Sequence, residues 1–229
     1  MKYTKLLIVI FIFKIQLNAE NPPHNWQSHS MVARKVIEKY ESFDNFKAEF
    51  IIYSKNKTMK GISYYQKPGK VRFEFSQPYG DLMISDGKIL WIVIASQKLV
   101  GKQDLKLNVK NEENKPIFAV MPGSGIRHLF TKYHYKFDDI QQPKIINNKK
   151  YYVMDLEQKV KIGGYKNLRL FINAENYFIE KANAEGSFGI QTTIEFFNIK
   201  INTEMEGKLF QFQPPENYRM VLNPLVSED

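Results

Sequence analysis

The sequence predicts an α+β fold dominated by an antiparallel sheet. Apolar and polar residues alternate in several short runs, turn signals separate those runs at short intervals, and helical periodicity is confined to two places.

An export signal precedes these elements. Lys2 and Lys5 lead into an apolar run over 6–13 that is too short to span a bilayer. Leu17-Asn18-Ala19 then ends in the small residue that signal peptidase favours. Residues 1–19 are therefore expected to be removed as a signal peptide, although Lys14 interrupts the usual pattern, leaving residues 20–229 as one domain. Nothing after Ala19 is apolar for long enough to cross a membrane, so that domain is expected to be soluble.

The first element is a helix over 29–40, because Met31, Val32, Val36, Ile37 and Tyr40 recur at helical spacing with Arg34, Lys35, Glu38 and Lys39 between them. From Phe46 the period changes to two. Phe46, Ala48, Phe50 and Ile52 make one strongly apolar strand face. Further alternating runs follow: Val71, Phe73 and Phe75; Leu168, Leu170 and Ile172; and Ile190, Ile194 and Phe196. Pro68-Gly69, Tyr79-Gly80-Asp81, Asp86-Gly87, Gly163-Gly164, Glu185-Gly186 and Pro214-Pro215 supply turns. No helix of crossover length sits between successive strands, which favours hairpins and a meander over a parallel sheet. The pattern breaks over 114–132, where apolar residues crowd around Pro122-Gly123-Ser124-Gly125; two short helices with a Gly-containing joint fit it, serving as a lid or as a plug in a barrel end.

Composition narrows the function classes. There is no cysteine, which removes disulfides, thiolate catalysis, Cys-type zinc sites and a cysteine-linked lipid anchor. The net charge of +9 is interspersed rather than blocked, and fits solubility, anionic headgroups or an acidic docking patch; nucleic acid does not suit an exported chain. His24, His29, His128 and His134 show no metal-ligand or protease spacing, there is no G-x-S-x-G and no P-loop, and Asp138-Asp139 fits a turn better than a catalytic dyad. No enzyme activity, catalytic residue, metal or cofactor is expected. Aromatic residues make 14% of the chain and could fill a curved sheet or line it.

The stretch over 61–91 carries Gly61, Tyr65, Lys67-Pro68-Gly69-Lys70-Val71-Arg72-Phe73-Glu74-Phe75 and Gln77-Pro78, then Ser85-Asp86-Gly87 and Leu90-Trp91. It resembles the LolA family of periplasmic outer-membrane lipoprotein carriers. Phe43, Phe46, Ala48 and Phe50 are similar to that family's first strand, and Phe210-x-Phe212-x-Pro214-Pro215 looks like its closing strand. The polar stretch over 103–115 and the tail over 216–229, with neither strand nor helix signals, depart from the pattern.

The resemblance implies an incomplete (unclosed) antiparallel β-barrel with a helical lid, whose concave face takes lipoprotein acyl chains across the periplasm from the inner to the outer membrane. Exposing those chains to water would cost about 0.8 kcal/mol for each CH2. It implies an inner-membrane ABC-type release complex and an outer-membrane acceptor as partners, with the carrier expected as a monomer. Phe50, Phe73, Phe75, Trp91 and Val93 are the implied cavity wall, Phe118, Met121, Leu129 and Phe130 the lid contacts, and Lys67 a rim contact that holds the lid or steers transfer. The same architecture would also suit a carrier of other lipids or glycolipids, or an envelope lipid sensor.

Overall fold

In the computed structural model the described residues are 26–105, 125–160, 165–186 and 189–223. The expected signal peptide lies outside them, as do Phe118 and Met121.

Helix α1 spans His29–Glu41. Its N-cap Ser28 accepts from the Met31 amide at 3.2 Å, satisfying one of the free donors of the first turn, and Ser42 closes the other end by donating from its amide and hydroxyl to the Lys39 carbonyl. Val32, Ala33, Val36 and Tyr40 form its buried stripe, close to the periodicity of the sequence.

Six strands follow as a meander: β1 Asn45–Ser54, β2 Lys57–Gln66, β3 Lys70–Gln77, β4 Leu82–Ser85, β5 Ile89–Ile94 and β6 Leu99–Asp104. Of the two helices expected over 114–132, α2 Gly125–Lys132 falls within the described residues. A second run comprises β7 Tyr133–Phe137, β8 Lys144–Ile146, β9 Lys149–Gln158, β10 Tyr165–Asn173, β11 Ile179–Gly186 and β12 Gln191–Ile201. The two runs join along the seam between β1 and β12 in one sheet ordered β13-β6-β5-β4-β3-β2-β1-β12-β11-β10-β9-β7, with β8 beside β9. The ends β13 and β7 do not meet, so the barrel is not closed. No helix among the described residues is long and apolar enough to cross a membrane.

Two expectations about the C-terminal end are corrected. Residues 210–215 are not a closing strand: a short 3-10 turn, Gly207–Phe210, leads into extended chain. The tail instead contains a strand, β13 Arg219–Leu222, which pairs in parallel with β6. Its four residues are too few to show periodicity, and the partner strand, not an internal pattern, makes them extended. Asp138 and Asp139 sit in the turn after β7, paired with Lys144 at 2.8 and 3.6 Å.

Candidate functional site

In β1, Phe46, Ala48, Phe50 and Ile52 are buried while their neighbours are more exposed, so one face of the strand points inward. Directly paired residues share a face, which places Gly61 and Phe75 beside Phe50, and Ser63 and Phe73 beside Ala48. Gly61 is the enabling residue of this wall. A Cβ there would lie 1.8 Å from the Glu74 carbonyl oxygen, so only glycine allows β3 to approach at the irregularity between Lys60 and Gly61. On this face the Phe50 ring lies 5.2 Å from Phe75 and 4.8 Å from Phe73. Both tilted and edge-on contacts are favourable for aromatic pairs.

The helices lie over this face. Val32, Val36 and Tyr40 of α1, and Ile126, Leu129 and Phe130 of α2, belong to one continuous buried cluster with Phe50, Phe73, Leu170 and Phe196. At the start of α1, the His29 ring stands edge-on to Tyr135 at 5.6 Å and to Phe137 at 6.1 Å, and Phe130 meets Tyr135 at 5.3 Å. The Tyr40 hydroxyl accepts from the Ile179 amide at 3.1 Å; burial, and secondarily the charge of Glu180, pushes its pKa well above the ordinary phenol value. Burial likewise raises Tyr65 and Tyr133, the latter donating to the Tyr165 carbonyl at 2.6 Å.

The expected site residues divide. Phe50, Phe73 and Phe75 form one wall, and Leu129 and Phe130 reach the same cluster from α2. Trp91 and Val93 stand on the opposite, convex face. Trp91 pairs with Ile84 and Ile84 with Arg72, whereas Phe73, the next residue, points inward; Val93 reaches Glu74 through Leu82 in the same way. There Trp91 packs against Phe212 at 5.6 Å and carries Lys102 over its ring.

Lys67 is at a rim. From the turn between β2 and β3 its Nζ donates to the Glu41 carbonyl at 2.8 Å, the last residue of α1, where a cation also meets the negative end of the helix. The Glu41 carboxylate in turn holds the Arg127 guanidinium of α2 through three contacts of 2.6 to 2.9 Å. Sheet rim, α1 and α2 thus meet at Glu41. Neither Glu41 nor Arg127 was among the expected residues, because two exposed charges 86 residues apart leave no local pattern.

Phe50 and Phe73 are 1% and 2% exposed, so in this conformation the rings fill the concave face themselves. Uncovering them requires a helix to move away. Exposed ion pairs contribute at most about 1 kcal/mol, so the polar contacts at Glu41 oppose that movement weakly. The main resistance is the apolar surface the helices would uncover.

Comparison with known proteins supports a carrier fold. The family described as "Outer membrane lipoprotein carrier protein LolA" matches residues 42–213. An outer-membrane lipoprotein carrier protein of Legionella pneumophila is 25% identical over 94% of this chain and 96% of its own length. An uncharacterized protein of Methanocaldococcus jannaschii is 23% identical over 83% of this chain, which spans only about half (52%) of that longer relative. Among solved structures, an uncharacterized conserved protein from Thermus thermophilus aligns with TM-score 0.55 at 10% identity, covering 83% of this chain and 98% of that one. MucB, known also from a Pseudomonas aeruginosa complex, aligns with TM-score 0.51 at 10% identity over 80% of this chain and 62% of its own.

Proposed function

The chain belongs to the LolA family of outer membrane lipoprotein carrier proteins, and from that premise we propose that it is a periplasmic carrier, acting as a monomer, that shields lipoprotein acyl chains between the inner and outer membranes. The observation that carries this reading is the continuous apolar concave face beneath two helices tied to the sheet rim by exposed polar contacts. Such a cover closes over the wall when no cargo is present, so no large apolar patch faces water. Phe50, Phe73, Phe75, Leu129 and Phe130 contact the acyl chains, and Lys67 holds α1 closed at the rim. An inner-membrane ABC-type complex hands over the cargo, and an outer-membrane acceptor takes it. Trp91 and Val93 support the sheet from its convex side.

Mass spectrometry of the protein purified from its native envelope tests this. Lipidated peptides should co-purify, and the protein added to spheroplasts should release lipoprotein into the supernatant. Acyl material without peptide would indicate a carrier of lipid or glycolipid instead; absence of any acyl material together with no release would overturn the reading.

A further inference from the structure

The convex face carries an open groove that the carrier reading does not use. Across four neighbouring strands Lys200, Lys47, Tyr64 and Arg72 stand directly opposite one another in a single row. Like charges placed opposite each other across a strand pair destabilise a sheet, and among the described residues neither Lys47 nor Lys200 has an ion-pair partner. Above the row runs the chain segment 203–209, pinned at both ends. At one end Thr203 donates from its amide to Asn45 Oδ1 at 2.9 Å; at the other, Arg72 Nη1 donates to the Leu209 carbonyl at 3.0 Å. Between these points the segment stands off the sheet and leaves about 680 Å³, with Glu204, Glu206 and Lys208 on its wall.

The strap also lines the groove with Met205 and Leu209, so the space is mixed in character. Its floor is cationic, and its wall presents the Glu204 and Glu206 carboxylates beside Lys208. Cations on the floor fit a phosphate, to which lysine and tyrosine donate charge-assisted hydrogen bonds. Carboxylates on the wall reject a uniform polyanion but accept from hydroxyl or ammonium groups on the same ligand. We propose that this groove binds a phosphate ester bearing hydroxyl or ammonium donors, as found in soluble phosphate esters and in phospholipid headgroups, with Lys47 and Lys200 holding the phosphate. The site is separate from the concave face, so its test does not depend on acyl cargo.

Isothermal titration calorimetry of the full chain with phosphoethanolamine as the soluble probe, and with vesicles of phosphatidylethanolamine as the lipid probe, reads the binding directly. Saturable binding of either probe is expected, falling at least about tenfold in the K47Q/K200Q variant, since each lysine supplies a charge-assisted hydrogen bond. It should persist in K149Q/K150Q, which alters two exposed lysines elsewhere on the sheet. Tighter binding to vesicles identifies a headgroup as the source, and binding to the soluble ester alone identifies a free ligand. No saturable binding of either probe, or equal binding by K47Q/K200Q, would overturn the proposal.

Discussion

The sheet has two apolar regions under cover, and the covers differ in kind. On the concave side, α1 and α2 meet the sheet mainly through side chains, fastened by Lys67, Glu41 and Arg127 at the exposed rim; the main-chain groups involved are few, among them the Ile179 amide on Tyr40 and the Lys159 amide on the Lys132 carbonyl. On the convex side of β4 to β6, residues 207–222 pack Phe212 on Trp91 and then join the sheet itself: the amides of Arg219 and Asn223 donate to the carbonyls of Lys98 and Lys102 at 2.8 and 2.7 Å. A cover held mainly by side chains separates from its sheet at the loss of few main-chain hydrogen bonds, whereas a paired strand leaves a row of unsatisfied peptide groups behind. The concave cover is therefore the one suited to opening, and the convex one is a permanent part of the shell.

Substitutions on the two sides should respond accordingly. The largest effect is expected for Phe50→Ala, which leaves a cavity in the buried concave wall; urea denaturation should show a loss of about 3–5 kcal/mol, and a loss below about 1 kcal/mol would mean the wall is not packed as described. Gly61→Ala should cost about 2–3 kcal/mol in the same measurement, because the added methyl meets the Glu74 carbonyl and must push β3 away. Alkali should also weaken the concave side. The Tyr40 phenol keeps its proton in the folded state above its ordinary value of 10.0, while the unfolded chain releases it. Stability is thus complete below that pH and falls as pH rises beyond it, by up to about 1.4 kcal/mol per unit through Tyr40 alone, and absorbance near about 295 nm should show phenolate appearing together with unfolding.

On the convex side, Trp91→Ala should cost about 2 kcal/mol and leave acyl-cargo uptake unchanged; loss of uptake with folding intact would move Trp91 back among the functional residues. Arg127→Ala should change overall stability by less than about 1 kcal/mol, yet hydrogen exchange in α1 and α2 should quicken while that of β13 stays the same. Equal quickening in β13 would erase the distinction between the two covers.

The sequence made α1 and the β1, β3, β10 and β12 strands legible because each has one wet and one dry face. It misled on Trp91 and Val93 because residues 82–84 and 89–94 are apolar on both faces, which hides the parity by which a strand is oriented. That double-sided run was itself a sign that something covers the convex side there, where Ile84, Val93 and Val100 are buried. The covering piece went unseen because β13 is four residues long and is defined by its partner. The aromatic wall could be inferred from Phe50, Phe73 and Phe75, but not the junction at Glu41, which exists only once three distant segments have met.

The seam between β1 and β12 also bears on how the molecule is made. Ser54 meets Thr192 across 138 residues of chain, whereas most other neighbouring strands are joined by short turns. Each meander can form soon after its own residues are available, but the seam must wait for a long loop to close, and such non-local pairing slows folding. Until then Phe50 and Phe196 are separate, and two half-shells present sticky inner surfaces to their surroundings. A newly made chain is thus most prone to aggregate in the interval before its first and last long strands find each other.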